Sequence, residues 1–210
     1  MNRRDVLGGG AAACIATTMP GLARAGAAHG CYRAQPGEVR CQVGFPDAPF
    51  IDPQDCRSSC WANCLAYVLT GYGMSVSAGS VLWHMRRTGA CGRDNDAARL
   101  MAATGGWVDD TGRSFLVTAR RLGDLAAETP SQEAFAPLVE ALSARPLIVG
   151  SAGHSMVLTE MSYVDAPGRP MRPETLTLRD PWTGTANLRH LAPAEAPERL
   201  FAVDIRIRRM

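Results

Sequence analysis

Three cysteines stand four residues apart in "QDCRSSCWANC", at Cys56, Cys60 and Cys64. Thiolates so spaced could ligate a metal, close disulfides or supply a nucleophile. The metal reading lacks its other half. Structural zinc sites join short C-x-x-C steps to a second ligand pair, and the chain offers neither such a pair nor a C-x-x-C redox step. No metal and no cofactor is expected. The nucleophile reading has local support at Cys60. "SCWANCLAYVLT", Ser59 to Thr70, carries no helix breaker, with Ser58 or Ser59 as N-cap and Gly71 as stop. Trp61, Leu65, Val68 and Leu69 recur at helical spacing and predict a buried face. Cys60 then falls in the first turn, where orphan N–H groups and the helix dipole favour the nucleophilic thiolate.

A nucleophilic cysteine needs a base. His29 lies beside the N-terminal segment, His84 inside a helical pattern and His190 in a polar stretch. His154 heads the apolar β-run "HSMVLTEMSYVD", directly after Gly153, which would let substrate approach. A third group should accept from the imidazole's other nitrogen. Asp180, in "TLTLRDPWTG", ends a β-run at an Asp-Pro turn with Trp182 beyond it, and Asp165 is the alternative acceptor.

Gln54, Cys60 and Trp61 in "Q-x-C-x-x-S-C-W-A" resemble the nucleophile segment of papain-like cysteine peptidases. The "GH-apolar-strand" at His154 resembles that family's second signature. "DPWTG" stands where the family has an Asn-Ser-Trp segment, with Asp in place of Asn as in compact bacterial relatives such as peptidases that process bacteriocin leaders. The resemblance implies Cys60 as nucleophile, His154 as acid and base, Asp180 as orienting group and Gln54 as oxyanion donor. It places Trp61, Gly153 and Trp182 beside a peptide or protein substrate. One departure is Cys56, four residues before Cys60 where plant and lysosomal members have three. A bridge Cys56–Cys91, tying the nucleophile loop to the following helices, is implied by analogy with the family. The interval from Cys60 to His154 is short for this family and predicts a trimmed fold with an open cleft.

The elements that must position these residues are legible in outline. Residues 26–50 read as an extended lead-in, and 51–210 as one catalytic domain. "SAGSVLWHMRRTG" and "DNDAARLMAATGG" read as short helices, and Ser131 to Ala144 as a fourth that contains Pro137. "RPLIVG", "HSMVLTEMSYVD", "ETLTLRD" and "LFAVDIRIR" read as strands with short connections. Helices first and an antiparallel sheet afterwards predicts an α+β fold, and with the resemblance a papain-like one, its nucleophile helix packed on a C-terminal sheet.

Residues 1–25 read as an export segment rather than fold: twin Arg3-Arg4 in "NRRDVL", a Gly/Ala-rich apolar stretch, then Ala23-Arg24-Ala25. This resembles the bacterial twin-arginine signal and predicts a periplasmic or secreted protein. The apolar run is too short for a transmembrane anchor. The segment holds three arginines and one aspartate, a net of +2 equal to that of the whole chain, so the remainder is neutral. All 22 basic residues are arginine, which coding bias explains. Nothing in the charge favours nucleic acid or an anionic membrane, and a monomer is expected. Export permits disulfides. With Cys14 in the signal, six cysteines remain and their pairing is open, Cys31–Cys41 being the local option. Cys64, one turn beyond Cys60, reads as a small buried hydrophobe.

Overall fold

The computed structural model describes residues 27–55, 58–85, 96–124, 132–151, 153–169, 171–192 and 200–210. Residues 1–25, read above as an export segment and holding Cys14, and the expected Cys56–Cys91 bridge lie outside the described residues. The chain runs β1 (Ala28–Gln35), β2 (Glu38–Gly44), α1 (Cys60–Gly71), α2 (Ala78–His84), α3 (Asp96–Ala102), β3 (Gly105–Val108), β4 (Ser114–Asp124), α4 (Gln132–Ala144), β5 (Leu147–Ser151), β6 (His154–Asp165), β7 (Arg172–Arg179), β8 (Leu188–His190) and β9 (Phe201–Arg209). It is a mixed α+β fold built on one large antiparallel sheet, in the path β1-β2-β6-β5-β9-β4-β3 with β7 on β6 and β8 on β7.

Two expectations are corrected. The sheet is not confined to the C-terminal half. The "lead-in" is the β1–β2 hairpin, bonded into the sheet through β2 and β6 and closed by the Cys31–Cys41 disulfide between residues directly opposite in register. The alternation there is masked because β1 is exposed on both faces from His29 to Gln35. β3 and β4 also precede the last helix. Their apolar stretches, Trp107-Val108 and Phe115-Leu116-Val117, are short and flanked by Gly, Thr and Arg, so no run of full strand length announces them.

Alternation on the central strands splits the interior in two. Ile148, Val157, Val203 and Ile205 turn to one face, where α1, α2 and α3 pack through Leu65, Val68, Leu69, Val81 and Leu100. Val149, Met156, Leu158 and Ala202 turn to the other, beneath Phe135, Leu138, Ala141 and Leu142 of α4. These α4 positions hold the apolar stripe of a helix on both sides of Pro137, and the helix runs through it. Strand β6 is central: β5 bonds its first half, β2 its second, and β7 runs along Val157–Val164. Being covered on both faces, it is buried over most of its length, including the polar Ser155 and Thr159, and its apolar stretch Met156–Leu158 is what marks it in the sequence.

Helix α1 begins at Cys60 as expected. Ser59 is the N-cap but makes no side-chain capping bond, and its carbonyl accepts from the Ala62 and Asn63 amides. The stop is not Gly71, which remains helical, but Gly73, the first residue past the helix with the left-handed φ of +80° that glycine adopts freely.

Candidate active site

Three elements meet at Cys60. It is the first residue of α1, and the backbone N–H of Ser155, the second residue of β6, points to its Sγ at 3.4 Å. The residue before, His154, opens β6. Its Nε2 lies 2.7 Å from Asp180 Oδ1, just past the end of β7. An ionised carboxylate only accepts, so Nε2 carries the proton, and Nδ1 is the ring nitrogen left for Cys60, with which the imidazole also hydrogen-bonds. Sequence positions 60, 154 and 180 thus form one connected chain, in the order base-between-thiol-and-carboxylate.

The electrostatics follow from this contact. Burial would lower the pKa of His154, but the hydrogen bond to Asp180 and the contact with Cys60 outweigh it, and the imidazole is raised from 6.5 to about 9. Burial opposes ionisation of Asp180 in turn. The bonds from His154, the Trp182 amide and Arg189 overcome that, and hold the carboxyl well below its ordinary value. Trp182 stands edge-to-face on the imidazole, ring centroids 6.1 Å apart, and covers the His154–Asp180 pair from one side. Its indole sits against Gly184, where a Cβ would come within 2.5 Å of Trp182 Nε1.

Gln54 is brought to the same place by backbone rather than by its helix. Its N–H donates to Pro181 O at 2.8 Å, next to Asp180. The loop from Phe45 to Gln54 is fixed by side chains from three directions. Arg179, 2% exposed, donates from Nε and Nη2 to the carbonyls of Pro46, Ala48 and Pro49. Asn187 accepts from the Ile51 amide at 3.1 Å and donates to its carbonyl at 2.7 Å, as a neighbouring strand would. Asn63 of α1 donates to Asp52 O and Pro53 O, and Tyr67 to Pro49 O. Gly44 opens this loop. With φ +133° and a Cβ position 2.3 Å from Thr159 O, it admits no side chain.

The remaining expectations separate. Asp165 ends β6, at the far end of the strand from His154, so Asp180 is the acceptor. His84 stacks on Trp107 at 3.8 Å between ring centroids, His190 lies on exposed β8 beside Thr177, and His29 lies on β1. Gly153 has φ +78° and open space where a side chain would stand. Trp61 is corrected: it is 1% exposed, packed in the core with the Arg99 guanidinium over its ring, so it supports α1 and offers substrate no face. The cleft is also less open than expected at the sulfur, since Cys60 is 0% exposed. A groove of about 310 Å³ does open on the outer side of the loop, lined by Phe50, Ile51, Tyr67 and Val76, but it includes neither Cys60 nor His154.

Among the described residues no cluster of three or more His, Cys, Asp or Glu could hold a metal, and no helix is long and apolar enough to cross a membrane. Sequence reasoning missed Arg179, Arg189 and Asn187. Arg179 was visible as a charge within the apolar-alternating "TLTLR"; Arg189 and Asn187 sit in polar "TANLRH", where nothing marks them. No family model, no curated protein and no solved structure matches the chain.

Proposed function

We propose that the chain is an exported cysteine-type amide hydrolase acting on peptide or protein substrates, in the manner of the papain-like peptidases it resembles. The observation that carries the reading is the single hydrogen-bonded chain from Cys60 through His154 to Asp180, with the Gln54 loop bonded to Pro181 alongside. In the reaction the Cys60 sulfur attacks the carbonyl carbon and the carbonyl π pair moves to oxygen. Gln54 and the Cys60 backbone N–H are the donors for that oxyanion. Imidazolium His154 gives its proton to the leaving amine as the C–N bond breaks, leaving a thioester. Neutral His154 then takes a proton from water, hydroxide adds to the thioester, and the acid departs as the thiol is regenerated. Asp180 holds the tautomer throughout. Export accords with the Cys31–Cys41 disulfide, which an oxidising compartment maintains.

One observation favours a second reading, a binding module whose site is silent: the complete burial of Cys60. Hydrolysis of a denatured-protein mixture, read by mass spectrometry of new termini, decides between them. The native chain generates new termini and Cys60→Ala lowers the rate on the order of 10⁴-fold or more. Equal cleavage by both would refute the assignment of Cys60, and no cleavage by either would leave the silent module.

A further inference from the structure

The Asp180 carboxylate is gripped from two sides. Oδ1 accepts from His154 Nε2 at 2.7 Å and from the Trp182 amide at 2.9 Å, while Oδ2 accepts from Arg189 Nε at 2.7 Å. Arg189 approaches from β8, where its backbone is paired with Leu178 of β7, and the loop between closes through the Asp180 amide donating to Asn187 O at 2.7 Å. Its side chain is 14% exposed against 0% for Asp180, and its Nη2 rests 3.0 Å from Met156 Sδ. The guanidinium is thus packed against Met156 as well as bonded to the carboxylate. Among the described residues, the titratable and charged groups in these contacts are Cys60 from α1, His154 from β6, Asp180 after β7 and Arg189 from β8.

A Cys–His–Asp relay does not require such an arginine, and one buried carboxylate between two cations binds each less tightly than it would bind either alone. A charge at this range in a part-buried site is felt strongly. We propose that Arg189 is a positioning residue for the site: it pins Asp180 through Oδ2 so that Oδ1 faces His154, and its charge limits how firmly the carboxylate holds the imidazolium. This rests on the reading of Cys60, His154 and Asp180 as a relay. The consequence is an imidazolium that is retained at neutral pH and still released to a leaving amine.

The test is the titration of His154 in the resting full-length protein, followed by ¹⁵N NMR of ring-labelled histidine, with the resonance assigned by its loss in His154→Gln. Arg189→Met raises the midpoint by about one pH unit, because Asp180 then acts on the imidazolium alone. Arg189→Lys, which keeps the charge, returns it to the native value. With an amide substrate, Arg189→Met also lowers kcat on the order of tenfold while KM stays near native, because Asp180, still held by the Trp182 amide, keeps the imidazolium too firmly for ready proton release to the leaving amine. An unchanged or lowered midpoint in Arg189→Met, or a midpoint in Arg189→Lys displaced as far as in Arg189→Met, overturns the proposal. If Arg189→Met fails to fold, Arg189→Gln, which keeps a donor for Oδ2 and drops the charge, carries the same expected rise. The titration needs no substrate, so it judges Arg189 even if the chain proves to cleave no peptide, a separate outcome scored by Cys60→Ala.

Discussion

His154 is the residue on which the chemistry turns, and its environment fixes a pH dependence. Its folded pKa is raised, from 6.5 to about 9, so its contribution to stability is complete below 6.5 and is lost as pH climbs through about 9. Asp180 is shifted the other way, so its contribution is complete above 3.8 and fades as pH falls below that. In the proposed reaction the imidazolium is the general acid for the leaving amine, so kcat/KM is expected to fall on the alkaline side with a midpoint near 9. Asp180→Asn removes the charge that holds the imidazolium and moves this alkaline limb down by at least about one unit, as for loss of a charged hydrogen-bond partner. A pH–rate profile whose alkaline limb stays in place in Asp180→Asn would contradict the assignment of Asp180. The residues of this relay were legible in the sequence because each sits at a punctuated boundary: Cys60 at a helix start, His154 after Gly153, Asp180 before Pro181. Arg189 was not, since its role is made only when β8 folds back on β7 and sets it opposite a carboxylate nine positions away.

At the scale of elements, the strand end Arg179-Asp180 serves both halves of the site. Asp180 faces His154, while Arg179 holds the Phe45–Gln54 loop by three backbone carbonyls. Removing the guanidinium strands those carbonyls. Arg179→Met is expected to destabilise the protein by about 2–4 kcal/mol and to lower kcat through Gln54, with the alkaline limb unmoved. Chemical denaturation with a pH–rate profile checks this, and a shifted limb would show that Arg179 acts on His154 instead. Helix α1 was legible because its buried positions are apolar apart from Asn63, with serine before it and glycine after it. The β1–β2 and β3–β4 hairpins were not, because the strands that join them to the sheet, β6 beside β2 and β9 beside β4, lie far along the chain and supply the order that their own sequences lack.

The whole molecule is a sheet with helices on both faces, and the site lies where one face's leading helix meets the ends of two central strands. Its N-terminal edge is the disulfide-closed hairpin, whose β2 pairs with Glu160–Asp165, the half of β6 away from His154. The paired substitution Cys31→Ser with Cys41→Ser is expected to cost about 2–3 kcal/mol, lowering Tm by roughly 5–10 °C while leaving kcat unchanged. Calorimetry and a rate assay on one sample check both halves, and a lost rate at full folding would tie the hairpin to the site. That α+β layering was legible in the alternation of the strands; the route of the sheet through both chain halves was not, since long-range pairing leaves no local mark.

The central claim, that Cys60 is the activated thiol, has an internal control in Cys64. Both are buried on the same helix, four residues apart, and only Cys60 stands beside His154. Alkylation of the native protein by iodoacetamide near neutral pH, mapped by mass spectrometry, tests it most directly. The expected result is one label on Cys60, lost on the order of tenfold or more in rate in His154→Ala, with Cys64 unmodified until the protein unfolds. Labelling of Cys64 first, or labelling of Cys60 at an unchanged rate without His154, would contradict it.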